Sequence, residues 1–145
     1  MSHIFVAEQL IIDRLTAQVA DFKTIDNPSL IAGLQDIGPY LPACFVMPGA
    51  GEIAAQQQNG AGVVEDQTWI LVIIVAHQAF KLDNKLTEDL AGKLIQSCIK
   101  ALSGWKPEAS DFFRPFIYAG RSEPEYNLGY AEFPLTFKIR RMVIP

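Results

Sequence analysis

The stretch Gln67–Gln78, QTWILVIIVAHQ, decides the fold. From Trp69 to Ala76 it is apolar without a break. Trp69, Leu71, Ile73 and Val75 share one strand face, and Ile70, Val72, Ile74 and Ala76 share the other. A strand that is apolar on both parities is buried on both sides. It therefore belongs at the centre of a sheet, with helices on one face and helices or another subunit on the other. Eight apolar residues are too few to span a bilayer, which takes about 20.

Moving outward, Ala43–Met47 is a compact apolar strand between Pro42 and Pro48. Ala131, Phe133, Leu135, Phe137 and Ile139 alternate with Glu132, Pro134, Thr136, Lys138 and Arg140, the period of a strand with one wet face. Pro134 cannot donate to a ladder, so this last strand is expected at a sheet edge or at a bulge. Shorter strands are expected at Phe22–Ile25 and at Phe112–Ala119, the latter interrupted by Pro115.

Helical spacing of Ile4, Ala7, Ile11, Leu15 and Val19 predicts a first helix over Ser2–Ala20, with Ser2 as its cap. A second runs from Leu86 or Thr87 to Leu102, with Thr87 as an N-terminal signal and Gly104 as the stop. A short helix is expected over Ser29–Asp36. The fold class is α+β: a mixed, mostly antiparallel sheet of four or five strands packed with helices, in one domain over residues 1–145.

Between the first two strong strands lies PGAGEIAAQQQNGAGVVED, residues 48–66. Small and polar side chains dominate it, so it reads as a long mobile loop. Within it, Gly49-Ala50-Gly51-Glu52-Ile53-Ala54 matches the GxGxxA form of a dinucleotide fingerprint. The context argues against a cofactor. Pro48 precedes it, Glu52 would sit near a pyrophosphate, and Asn59-Gly60 cuts short any following helix.

Other chemistry is sparse. Cys44 and Cys98 form no CxxC pair and read as buried, reduced thiols. Two histidines, His3 and His77, are too few for a zinc site, and Cys44 as a nucleophile would need His77 beside it. The paired acids Glu65-Asp66 and Glu123-Pro124-Glu125 read as solvated. No catalytic, cofactor or metal residue is assigned.

The formal net charge is −4, against a nucleic-acid binder. The charge is uneven: residues 1–66 carry −6 and residues 67–145 carry +2. Such polarity suits head-to-tail packing of like subunits. Aromatics and Arg are enriched in interfaces. The candidates for a subunit contact are accordingly Phe112, Phe113, Arg114, Tyr118, Arg121, Lys138, Arg140 and Arg141.

The order LIIDRL, SLIAGL, LPACFVMP, PGAGE, WILVIIVAH, KLTEDLAGKLIQSCIKALSGW and YAEFPLTFKIRR resembles the phage tail-terminator proteins. The likeness is to the lambda minor tail protein U type and its relatives in Mu-like prophages, and it covers about Ile4 to Arg141. It implies a structural protein with no cofactor and no catalysis. Such a protein forms a hexameric ring on the tail tube, ends tube polymerisation and offers a surface to head–tail connector proteins. It implies a place in the bacterial host cytoplasm, then in the virion tail, with no membrane contact and no tight hold on nucleic acid. Gly49, Glu52, Gln56, Gln57, Gln58 and Asn59 become candidates for the tube or neck contact. The alternatives are a neck or head–tail completion protein, or a small enzyme using the Gly49–Ala54 loop.

Overall fold

The computed structural model describes residues 3–56, 60, 62–77, 85–109, 111–112 and 114–143. The elements are α1 (Val6–Gln18), β1 (Thr24–Asp26), β2 (Ala43–Gln56), β3 (Val63–His77), α2 (Lys85–Leu102), β4 (Ile117–Arg121), β5 (Glu125–Tyr126) and β6 (Gly129–Val143). Six strands form one sheet in the order β1-β2-β3-β6-β4, with β5 also paired to β6. Only β1 and β2 run parallel. The sheet is thus mixed and mostly antiparallel, with β3 at its centre and one strand more than the sequence predicts.

One face is dry. Trp69, Leu71, Ile73 and Val75 of β3 are almost fully buried, as are Ala131, Leu135 and Phe137 of β6 and Cys44 and Val46 of β2. They meet Ala7, Ile11 and Leu15 of α1 and Ala91, Leu94, Cys98 and Leu102 of α2 in a continuous core. Both helices follow their apolar spacing, because each has only this face to bury against. Arg14 ties them together: its Nε donates to the Ala101 carbonyl (3.0 Å) and its guanidinium lies 5.2 Å from the Trp105 ring centre. Gly104 ends α2 at φ +83°, a left-handed conformation that favours glycine.

The opposite face is only partly covered. Residues 27–42, which contain single 3-10 turns at Pro28–Leu30 and Gly38–Tyr40, fold Ile31, Ile37 and Leu41 onto Ala43, Phe45, Ile74 and Val72. Beyond that small cluster, Ile70 stays half-buried and Ala76 is exposed. The expected short helix over Ser29–Asp36 is therefore a turn segment. Its amides close single i→i+3 bonds, Ile31 to the Pro28 carbonyl (3.1 Å) and Leu34 to the Ile31 carbonyl (3.1 Å), and Ile31 with the following Ile37 packs it on the sheet.

Residues 48–66 overturn the expected loop. Pro48–Gln56 continues β2 and Val63–Asp66 begins β3, paired antiparallel from Pro48↔Trp69 to Gln56↔Val63 with register shifts at two points. The small side chains do not prevent this, because a ladder is made of backbone groups and β6 backs the hairpin from the other side. Asp66, Glu65, Val64 and Val63 pair with Arg140, Arg141, Met142 and Val143. Gly49 and Gly51 mark close cross-strand contact. A Cβ would come 3.2 Å from the Thr68 carbonyl oxygen at Gly49 and 3.0 Å from the Glu65 carboxylate at Gly51.

β6 is likewise not an edge, since it lies between β3 and β4. The Pro134 carbonyl accepts from the Ser122 amide (3.2 Å), so its missing N–H faces the β4–β5 side. There residues 122–124 lie outside both strands, and no ladder bond is lost. At α2, Thr87 lies inside the first turn rather than capping it, and Leu90 is exposed. Ser2, the expected cap of α1, lies outside the described residues.

A core of this kind predicts a contrast. Leu71→Ala should cost about 3 kcal/mol of unfolding free energy in urea titration. Ile117→Ala, on the exposed side of β4, should stay within about 0.5 kcal/mol of the parent.

Candidate functional site

Gly49–Ala54 lies within β2 and its backbone serves the hairpin, so the strand–turn–helix that a dinucleotide fingerprint needs is not formed. Cys44 and Cys98 are free and fully buried. The hydrogen bond to Cys98 and burial push the Cys44 thiol up, away from a nucleophilic thiolate. His77 is buried at the end of β3, its Nδ1 3.0 Å from the Thr87 hydroxyl and its ring 5.1 Å from that of Tyr126. Among the described residues, no group of three or more His, Cys, Asp or Glu side chains is placed to share a metal ion.

The paired acids have structural surroundings. Glu65 accepts from Gln67 Nε2 (2.9 Å), which also donates to the Ile4 carbonyl, while Gln67 Oε1 accepts from the Trp69 indole (3.2 Å). This chain of contacts fastens the start of α1 to the base of the hairpin. Asp66 takes a two-pronged hydrogen bond from Arg140 (2.7 and 2.9 Å), which holds its carboxyl below the usual carboxylate value. Glu125 faces Glu132 across β5–β6, and burial, then Glu125, pushes the Glu132 carboxyl up.

The candidate interface residues separate into two groups. Arg141 is 4% exposed and belongs to the interior of its own chain. Its Nε and Nη2 donate to Asp111 Oδ2 (3.0 and 2.8 Å), its Nη1 donates to the His3 carbonyl (2.6 Å), and it lies over the Phe112 ring. Phe112 is buried beneath it, and Tyr118 packs on Phe137 with ring centres 5.4 Å apart. These three side chains are thus taken up inside the subunit, because the ladder turns their parity inward. Arg140 is half-buried on Asp66. Arg114, Arg121 and Lys138 remain exposed, and Phe113 lies outside the described residues. Of the tube-contact candidates, Gly49, Glu52 and Gln56 stand exposed on β2, whereas Gln57, Gln58 and Asn59 lie outside the described residues.

What sequence reasoning missed is that this stretch of β2 is a strand with an open outer margin. All nine residues from Pro48 to Gln56 are exposed, including Ile53 at 69%. β1 covers β2 only at Ala43–Phe45, so the outer edge from Val46 onward has no strand partner among the described residues. The signal for this in the sequence was only the run of small residues, which reads equally as a loop.

A family model described as phage tail terminator protein matches residues 1–144. The chain belongs to the phage tail terminator family. Among solved structures, this chain is similar to a chain in the virion of a native gene transfer agent particle. The TM-score is 0.59 at 16% identity, over 98% of this chain and 100% of that one, which is a likeness of fold. No curated protein matches it. Family membership makes this chain a structural protein of the phage tail. Among the described residues, no helix is long and apolar enough to cross a membrane.

Two predictions follow from these charges. Asp111→Ala strands Arg141 in the interior and should cost about 3 kcal/mol in unfolding measurements on the isolated subunit. Glu132→Gln should raise the melting temperature at pH 7. The raised carboxyl disfavours the folded state once it is ionised, so the advantage should shrink as pH falls and vanish below the ordinary glutamate value of about 4.3.

Proposed function

We propose that this chain caps the tail tube as a homo-hexameric ring, ends tube polymerisation and presents the surface to which head–tail connector proteins join. The observation that carries the reading is the β2–β3 hairpin. It carries nine consecutive exposed residues on β2 and an open strand edge among the described residues. Exposed edges are normally blunted or covered, because unpaired backbone groups recruit other chains. Here Pro48, Glu52 and two register shifts blunt it, and no strand covers it among the described residues. A strand margin that another molecule covers suits docking on the end of a tube. It also gives Gly49, Glu52 and Gln56 a role at the tube or neck contact.

The uneven charge supports head-to-tail contacts between neighbours, since a heterologous contact repeated by rotation closes into a ring. The family and the surroundings of Cys44, His77 and Gly49–Ala54 support a role without catalysis or cofactor. The protein would gather in the host cytoplasm and finish in the virion tail. An acidic ring would repel duplex DNA and let it slide through rather than bind it.

Native mass spectrometry, with and without purified tube protein, should show a hexamer. A species that stays monomeric in both conditions would overturn the ring. Ile53→Asp should leave the melting temperature of the subunit unchanged, because the side chain is solvated, but should produce over-long tubes and few infectious particles. Normal tail length with this variant would refute docking through the hairpin. Fluorescence anisotropy with duplex DNA at moderate salt should show no saturation; micromolar binding would contradict a sliding passage.

A further inference from the structure

The acidic and basic halves of the chain end on opposite margins of one sheet face. On the β4 margin lies a shallow groove of about 130 Å³, bounded by Asp66, Arg114, Ile117, Lys138 and Arg140. Ile117 is 60% exposed and opposes Lys138 in the β4–β6 ladder. Arg140 is occupied by Asp66, but neither Arg114 nor Lys138 has an ion-pair partner among the described residues. The groove thus offers an exposed isoleucine beside two cations that lie in the field of Asp66 but form no ion pair with it.

The β1–β2 margin offers the complement. In Ser29–Asp36, Ile31 turns inward onto the Phe45–Ile74 cluster. Leu30 and Leu34 are left 40% and 44% exposed, beside the exposed Asp36. Asp36 Oδ1 accepts from the Gly38 amide (2.9 Å), which fixes the carboxylate at the end of the apolar ridge. Two exposed leucines and an oriented carboxylate match an exposed isoleucine flanked by two cations in both polarity and charge.

We propose that the Leu30–Leu34–Asp36 ridge of one copy seats on the Ile117 groove of the next, with Asp36 facing Arg114 and Lys138. The proposal rests on the ring reading and names its lateral contact. A second copy is the occupant that the placement favours. Both halves of the contact are on the same chain at opposite edges of the sheet β1-β2-β3-β6-β4, so one rotation joins them and each repetition leaves the same pair free to join again. The apolar pieces would supply the buried centre of the contact, and the charges its register and selectivity.

Charge reversal tests it. Asp36→Lys and the double variant Arg114→Glu/Lys138→Glu should each raise the concentration for half-assembly by about tenfold or more in native mass spectrometry. The triple variant carrying all three changes should return to within about threefold of the parent. All three positions are exposed, so melting temperatures should move by no more than the loss of the exposed Asp36–Gly38 hydrogen bond accounts for; the milder Arg114→Gln/Lys138→Gln should show the same direction with a smaller effect. If the parent forms rings and one-sided reversals assemble as the parent does, or the triple variant is no better than either, this contact is wrong while the ring stands. If the parent forms no ring with or without tube protein, both fall. If Arg114→Glu/Lys138→Glu keeps the ring but no longer binds purified tubes, the groove belongs to the tube and the proposal is overturned.

Discussion

The structure depends on the antiparallel ladder between β3 and β6. It runs fifteen pairs, from Val63↔Val143 to His77↔Gly129, without a register shift. Side chains in a strand alternate strictly, so this single register decides the environment of every residue on both strands. It stacks Trp69 on Phe137, Leu71 on Leu135 and Ile73 on Phe133 on the helix side. On the other side it brings Asp66 beside Arg140. A slip of one residue would turn the aromatic core to solvent and bury the charges.

The same ladder explains how a stretch poor in apolar side chains becomes ordered. β2 beyond Pro48 has little to bury, and an isolated two-stranded hairpin is marginal in water. The far half of β3 is held from behind by Lys138–Val143, and Arg141 anchors that segment to Asp111 and the His3 carbonyl. The Glu65–Gln67–Trp69 contacts fasten the same region to α1. The hairpin is therefore the free margin of a three-stranded arm whose other strands are fixed by packing and charge. This lets it present backbone and small side chains to a partner without collapsing on itself.

The charge imbalance also acquires a location. Arg140 and Arg141 are neutralised within the chain by Asp66 and Asp111. These two arginines are thus structural and unavailable to partners. Among the outward cations, Arg114, Arg121 and Lys138 lie on or beside β4 and β6, at the other margin of the sheet from the exposed Asp36, whereas Lys85, Lys93 and Lys100 stand on α2 and Lys106 just after it.

What the sequence determined by itself were the features written in local periodicity. The two-sided apolar run of Trp69–Ala76 made β3 central, the spacing of Ala7, Ile11 and Leu15 made α1, and the alternation from Ala131 to Ile139 made β6. The strings from LIIDRL to YAEFPLTFKIRR pointed to the tail terminators. Tertiary structure alone decided what depends on a partner strand. Whether PGAGEIAAQ is loop or strand turns on the backbone beside it, which no side-chain pattern records. Whether Pro134 disrupts a sheet turns on which side its missing N–H faces. Whether Arg141, Phe112 and Tyr118 face a neighbour or the core turns on parity set by the register and on Asp111, thirty positions away in sequence. Periodicity is a property of neighbours along the chain, and these outcomes belong to neighbours across it.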